Sequence, residues 1–401
     1  MASNTSKGIT YPTSGDAISP LETVFATMAS TTNTALSNIN ASNDIASGTL
    51  PITRGGTGGT TQATAATALG FVPISSYSVA GKNAIINGAF DVWQRATTST
   101  STNATGYFAD RWRYVATGGV GKVPTQSQQT FATGTAPVAG YEGRFYYRIA
   151  ISVTAGSGYT YEAVEQPIED VRTFAGNTVT LSFWARTAAG TVASTPQLQQ
   201  NFGTGGSPSA TVTTTGTAIS ITTAWQRFTQ TITVPSISGK TVGTNNDSSL
   251  VLALTLPNNG TYSVDLWGVQ VELGSNATAF VRAGGSIANE TALAQRYYYR
   301  TSNTLGSSVP FGSGMQQTTG LAWVHIKFPQ RMRAAPTALE TAGTLQIVTT
   351  GGATATGSAF GIANDDGGYI TLTVSGTAGQ GGLGRFGGTA GTAYLGFGAE
   401  L

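Results

Sequence analysis

Ser249-Leu-Val-Leu-Ala-Leu-Thr-Leu256, Pro257-Asn-Asn-Gly260 and Thr261-Tyr-Ser-Val-Asp-Leu-Trp-Gly-Val-Gln-Val-Glu-Leu273 decide the fold class of this chain. Leu250, Leu252, Leu254 and Leu256 alternate, as the inward face of a strand does, and Asn259-Gly260 is a hairpin-turn signal, so a β-hairpin is expected. Past the turn, Tyr262, Val264 and Leu266 share one parity and Trp267, Val269, Val271 and Leu273 the other. That slip of phase predicts a β-bulge near Gly268. Similar short runs precede it: AIINGAF from Ala84, GRFYYRIAISV from Gly143, NTVTLSFWA from Asn177 and WQRFTQTITV from Trp225. Separated by Gly, Pro, Asn and Ser, they give the signature of a β-sandwich or jelly roll.

Composition points to self-association. Charged residues make up 9% of the 401, Gly numbers 53, and Thr, Ser and Ala fill much of the rest. A surface so poor in charge suits a chain covered by copies of itself. The formal charge of +2, with no Lys/Arg run, lacks the electrostatic footprint of a nucleic-acid binder. Without Cys there are neither disulfides nor thiolate metal sites. No secretion signal and no membrane-spanning apolar run is read.

Four regions are expected. In residues 1–48, Ser19-Pro20-Leu21-Glu22 signals a helix start, and Leu21, Phe25, Met28, Thr32, Ala35, Ile39 and Ala46 recur at spacings of three and four or multiples of them. Leu21, Phe25, Met28, Ala35 and Ile39 are the candidate seam of a parallel homotrimer; an amphipathic helix packed on its own domain is the open alternative. Residues 49–82 read as a Gly-rich hinge with a short helix, 83–283 as the sandwich, and 284–401 as a distal β-rich tip domain. The tip starts with a short helix running into a strand, IANETALAQRYYYR. Its GTAGQGGLGRFGGTAGTAYLGF stretch has few side chains for a core and reads as a surface loop, a tip, or backbone packed against symmetry mates.

Leu50-Pro51-Ile52, Arg54-Gly55-Gly56-Thr57-Gly58 and the run to Leu69-Gly70 resemble a segment that recurs in bacteriophage tail-fibre proteins. NAIINGAFDVWQR from Asn83 and Ala109-Asp110-Arg111-Trp112 resemble the opening of a β-sandwich found in phage fibres. Gln166-Pro167-Ile168-Glu169-Asp170-Val171, TVTLSFWAR and VDLWGVQVELG look like the same domain and like carbohydrate-binding jelly rolls. Such jelly rolls often carry an Asp pair where this chain has Asp265-Leu266-Trp267. Ala294-Gln295-Arg296-Tyr297-Tyr298, Met332-Arg333-Ala334-Ala335-Pro336-Thr337 and the closing AYLGFGAEL are similar to distal ends of fibres. The resemblance implies a virion protein made in the host cytoplasm. It implies a homotrimer bound through its N-terminus to a phage tail or baseplate protein, with its distal domains facing host surface polysaccharide or lipopolysaccharide.

Catalysis finds little support. His325 is the single His and reads as a strand residue; Glu162, Glu165, Glu169 and Asp170 read as solvated turn and strand-edge carboxylates; Asp365-Asp366-Gly367-Gly368 reads as a turn. No enzyme activity, metal or cofactor is expected, and no residue set supports a structural calcium. A polysaccharide depolymerase and a structural connector are the alternative functions. Sugar binding asks for an aromatic face with planar polar groups. Tyr107, Asp110, Arg111, Trp112 and Tyr146 supply these, although alternation sends about half of such aromatics into the core. Arg385-Phe386, alone among glycines, is a second candidate contact, or else a plug on the trimer axis.

Overall fold

Both strands of the deciding stretch exist, as Ser249–Thr255 and Tyr262–Leu273, but they are not neighbours: each belongs to a different six-stranded antiparallel sheet. The hairpin expectation is corrected accordingly. Leu250, Leu252 and Leu254 from one sheet and Val264, Leu266, Val269 and Val271 from the other fill one core. Two apolar rows this complete cover each other better across a sandwich than side by side within a sheet. Neither Asn259 nor Gly260 takes the positive φ of a two-residue hairpin turn, and Leu256 is buried in the connection. The bulge does form. The pairing of Tyr262–Leu273 with Thr178–Thr187 shifts between Trp267 and Gln270, where Gly268 sits at φ +64°.

The computed structural model describes residues 3–4, 10–11, 21–41, 65, 81–100, 106–138, 141–152, 158–304, 306, 308–337, 339–349 and 353–401. The chain divides into two compact units, Met1–Tyr77 and Ser78–Leu401. It is mainly β.

In the first unit a helix spans Leu21–Ala41, beginning where the Ser-Pro-Leu-Glu signal places it. Its threonines, poor helix formers, bond back to the preceding turn: Thr27 Oγ1 donates to Thr23 O at 2.8 Å and Thr31 Oγ1 to Thr27 O at 2.9 Å. Phe25 is 56% exposed and Met28 half-buried. The side chains of Leu21, Ala35 and Ile39 lie outside the described residues, as does the hinge apart from Ala65, Gly81 and Lys82.

The second unit holds two β-sandwiches. In the first, one sheet runs in the order Val212–Thr215, Pro196–Asn201, Ser249–Thr255, Tyr161–Glu169, Arg113–Thr117, Gly106–Tyr107. The other runs Gln226–Thr233, Thr178–Thr187, Tyr262–Leu273, Phe145–Ile151, Pro124–Thr130, Thr98–Thr100. Period-two alternation sends Val179, Leu181, Phe183 and Ala185 inward and leaves the intervening residues on the outer face. A short helix, Ile287–Gln295, capped by Ser286, then leads into the strand Tyr298–Ser302, as expected.

Beyond it, a seven-stranded and a three-stranded sheet enclose Val324, Ile326, Ile347, Ile370, Phe386 and Phe397. The Gly-rich stretch is not a loop or tip. Gly381–Gly387 is an interior strand between Pro310–Thr318 and Thr344–Val348. Its glycines make room for neighbouring side chains, since a Cβ on Gly384 would stand 2.5 Å from Val324 Cγ1 and 2.7 Å from the Phe311 ring. Among the described residues no helix is long and apolar enough to cross a membrane.

Candidate functional site

The outer face of the sheet carrying Tyr262–Leu273 gathers a chemistry that the separate strands do not announce. Across it, residues in register form a row: Ser127, Arg148, Asp265 and Arg186, with Trp225 one residue before the paired strand Gln226–Thr233. Arg148 donates from Nε to Asp265 Oδ1 at 2.6 Å and from Nη2 to Oδ2 at 2.9 Å. Arg186 Nε donates to the same Oδ2 at 2.9 Å, and its Nη2 to the Tyr146 hydroxyl at 3.2 Å. One buried carboxylate therefore holds two guanidinium groups, themselves 29% and 33% exposed. The hydrogen bonds that Arg148 donates to Asp265, with the charge of that carboxylate, hold its guanidinium above its usual range against the effect of desolvation.

Aromatic rings flank this row. The Arg186 guanidinium lies 5.0 Å from the Trp225 ring centroid and 5.5 Å from that of Tyr146. Tyr146 and Trp225 meet edge to face at 5.4 Å, and Phe131 backs both, 4.7 and 5.5 Å away. A second register row, two residues along, carries Gln129 beside Tyr146 and Trp184 between Trp267 and Arg227. On the opposite side, the pair Ser263 and Ala150 gives a low floor. The result is a half-open surface with aromatic walls and fixed planar donors, the arrangement that a pyranose ring requires.

Of the residues proposed from sequence, Tyr146 alone lies here, and at 7% exposure its ring is packed against Phe131 and backs the surface, with its hydroxyl on Arg186. Asp110, Arg111 and Trp112 are at most 1% exposed and have no face to offer a sugar, which corrects the expectation that they contact glycan. They build the joint between the sandwiches. The Arg111 guanidinium stacks 3.5 Å from the Tyr297 ring centroid and pairs with Glu400, while Trp112 Nε1 donates to Asn87 O at 3.1 Å. Asp110 accepts from Gln94 N and Gln94 Nε2, both at 2.6 Å; burial pushes its carboxyl up to about 6. Glu290 ties in the following helix, accepting from Gly284 N at 2.7 Å and from Asn87 N. Tyr107, half-buried beside them, lines a cleft of about 410 Å³ with Arg95, Arg300, Glu340 and Tyr394, and its hydroxyl donates to Leu401 O at 2.6 Å.

Phe386 is fully buried against Phe311, ring centroids 4.8 Å apart, so it is no tip contact; Arg385 is half-buried and donates from Nε to Gln346 Oε1 at 2.9 Å. His325 is exposed on its strand. Half of the acidic cluster is not solvated as expected: Glu169 and Asp170 are 38% and 45% exposed, whereas Glu162 and Glu165 are buried. Glu162 is inaccessible and accepts from the hydroxyls of Tyr114 and Tyr262 at 2.7 and 2.8 Å and from Lys122; Glu165 is 3% exposed and pairs with Arg113. Their strand, Tyr161–Glu169, is interior to its sheet, and burial there forces these carboxylates into pairs. Among the described residues no three His, Cys, Asp or Glu converge as a metal site.

Sequence reading missed Arg148, Arg186 and Trp225 and passed over Asp265. A signal was present. Tyr146-x-Arg148, Trp184-x-Arg186 and Trp225-x-Arg227 repeat an aromatic-x-Arg spacing, which puts ring and charge on one face of each strand.

No protein-family model matches the chain, and no curated protein sequence does. Among solved structures, the enzymatically active domain of bacteriophage CBA120 tailspike protein 4 aligns at 12% identity over 48% of this chain, with a TM-score of 0.30; the match spans 22% of the tailspike chain. A CBM4 structure aligns at 18% identity over 47% of this chain and 98% of its own, TM-score 0.25. The CBM22-1 xylan-binding domain of Paenibacillus barcinonensis Xyn10C aligns at 12% over 49% and 98%, TM-score 0.27. Similarity at this level fixes neither fold nor function.

Proposed function

We propose that this chain is a non-catalytic tail-fibre protein that attaches a bacteriophage to its host by multivalent contact with a surface glycan. The observation that carries the glycan contact is the Arg148–Asp265–Arg186 row set against Trp225 and Tyr146 on an open sheet face. Guanidinium forks locked by a shared carboxylate lose little freedom on binding, and the rings beside them suit the apolar side of a sugar.

The assignment to a phage fibre rests on the resemblance of the sequence motifs. In this reading three parallel copies form the fibre, seamed along Leu21, Phe25, Met28, Ala35 and Ile39, with residues 1–48 docked on a tail or baseplate protein. Weak single sites then gain about 10²- to 10⁴-fold in avidity from the copies on one fibre and the fibres on one virion.

The test is competition. Purified full-length protein is expected to block adsorption of the phage that carries it, and Trp225→Ala with Arg186→Ala to abolish blocking while leaving the fold intact. Undiminished blocking by the double variant would refute the site. Release of reducing ends from host polysaccharide would replace the binding protein with a depolymerase, and absence of blocking by the unaltered protein would leave a connector.

A further inference from the structure

The charge balance of this face selects among sugars. Arg148, Arg186 and Arg227 project from it, and among the described residues Asp265 is the single carboxylate that neutralises any of them. Arg227 donates to Ser182 Oγ at 3.2 Å and to Thr278 O, both uncharged. The other acid on the sheet's outer side, Glu272, is occupied by Gln270, Thr278 and Lys82. The face therefore holds an excess of two positive charges, as large as the formal charge of the whole chain. Among the described residues, Nη1 of neither Arg148 nor Arg186 has a partner, so each fork keeps one side directed away from Asp265.

A neutral pyranose would leave that excess unanswered. A carboxylate is planar, accepts two parallel N–H donors, and meets a guanidinium at the distance at which Asp265 already does. We propose that the site takes an acidic sugar of the hexuronic class, its ring against Trp225 and its carboxylate on the free edges of Arg148 and Arg186. This deepens the glycan-binding reading and rests on it. Exposure of both arginines leaves room for the contact and makes it sensitive to salt.

Methyl glucuronide and methyl galacturonide, with the corresponding neutral methyl glycosides, are the probes, because monosaccharides remove any dependence on linkage. Titration of the full chain is followed through indole and guanidinium NMR signals in low and high salt. The uronides are expected to bind about tenfold more tightly than the neutral glycosides, the worth of one charge-assisted contact. That advantage should shrink in high salt and vanish in Arg148→Gln with Arg186→Gln. Trp225→Ala should weaken all four. Equal binding of acidic and neutral sugars, or a uronide preference that survives the double Gln variant, overturns the acidic-sugar assignment while leaving glycan binding in place. If none of the four perturbs Trp225, the glycan-binding reading fails with it.

Discussion

Two places in this molecule use the same parts to opposite ends. At the joint between the sandwiches, Arg111 pairs with Glu400 and stacks on Tyr297; on the outer sheet face, Arg186 pairs with Asp265 and lies against Trp225. Arg111 is 1% exposed and Arg186 33%. Burial separates their roles. A guanidinium enclosed on all sides holds two bodies together and is unavailable to anything else, whereas one with an open edge retains donors for a ligand. Of the stretches that resemble phage fibres, Asn83 to Arg95, Ala109 to Trp112 and Ala294 to Tyr298 contribute to the joint, whereas TVTLSFWAR and VDLWGVQVELG supply Arg186 and Asp265 to the outer face.

The comparison makes its largest claim about stability. Arg111→Ala leaves Glu400 with Arg95 alone, at 3.3 Å, and Pro167 O without its donor, and should cost about 3 kcal/mol, the lower end for breaking a buried pair, read by chemical denaturation. Arg186→Ala, at a partly exposed pair, should cost about 1 kcal/mol or less. Equal losses would erase the distinction between the two sites.

Asp110 sharpens it through pH. Its carboxyl, at about 6 when folded and 3.8 ordinarily, binds its proton more tightly in the folded state, so its contribution to stability falls as pH rises from about 4 to about 6. The stability of Asp110→Asn relative to the unaltered protein should therefore improve by about 3 kcal/mol between pH 4 and pH 7, at ~1.4 kcal/mol per unit. A pH-independent difference would mean that Asp110 is not held protonated by the joint. Smaller still is Gly268→Ala. A Cβ there sits at φ +64° and 3.2 Å from Trp184 Cδ1, so a loss of about 1 kcal/mol is expected, with a change in Trp fluorescence from the binding face.

Much of the fold was legible because alternation survives in single strands: the inward leucines of Ser249–Thr255, the slip at Gly268 and the capped helix after Ser286 all follow from local pattern. Pairing did not follow. Alternation reports that a strand has an apolar face without saying whether the next strand lies beside it or opposite, and so Asn259-Gly260 reads as the turn of a hairpin, whereas the chain turns there from one sheet to the other. The buried joint was equally hidden, since Arg111 and Glu400 are 289 positions apart and a lone Arg reads as surface. Trp112 showed the same ambiguity from the other side: a large aromatic beside charged residues suits a sugar platform and a core alike, and only burial separates them. The outer face proposed to bind is assembled by registers spanning Arg148 to Asp265, where each strand contributes one or two side chains too few to notice alone.

Gly268 places two reading frames on one strand. Before it, odd-numbered residues such as Asp265 and Trp267 look outward; after it, Val269 and Val271 look inward and Gln270 and Glu272 take the outer positions. Gly268 and Val269 together oppose Phe183, and this one extra residue acts on the sheet as a compensating frameshift acts on a gene: with all residues paired one for one, Val269 and Val271 would turn to the surface and two polar side chains into the core. Deletion of Gly268 should therefore straighten the strand while keeping both valines inward, whereas inserting one residue beside it should turn them out.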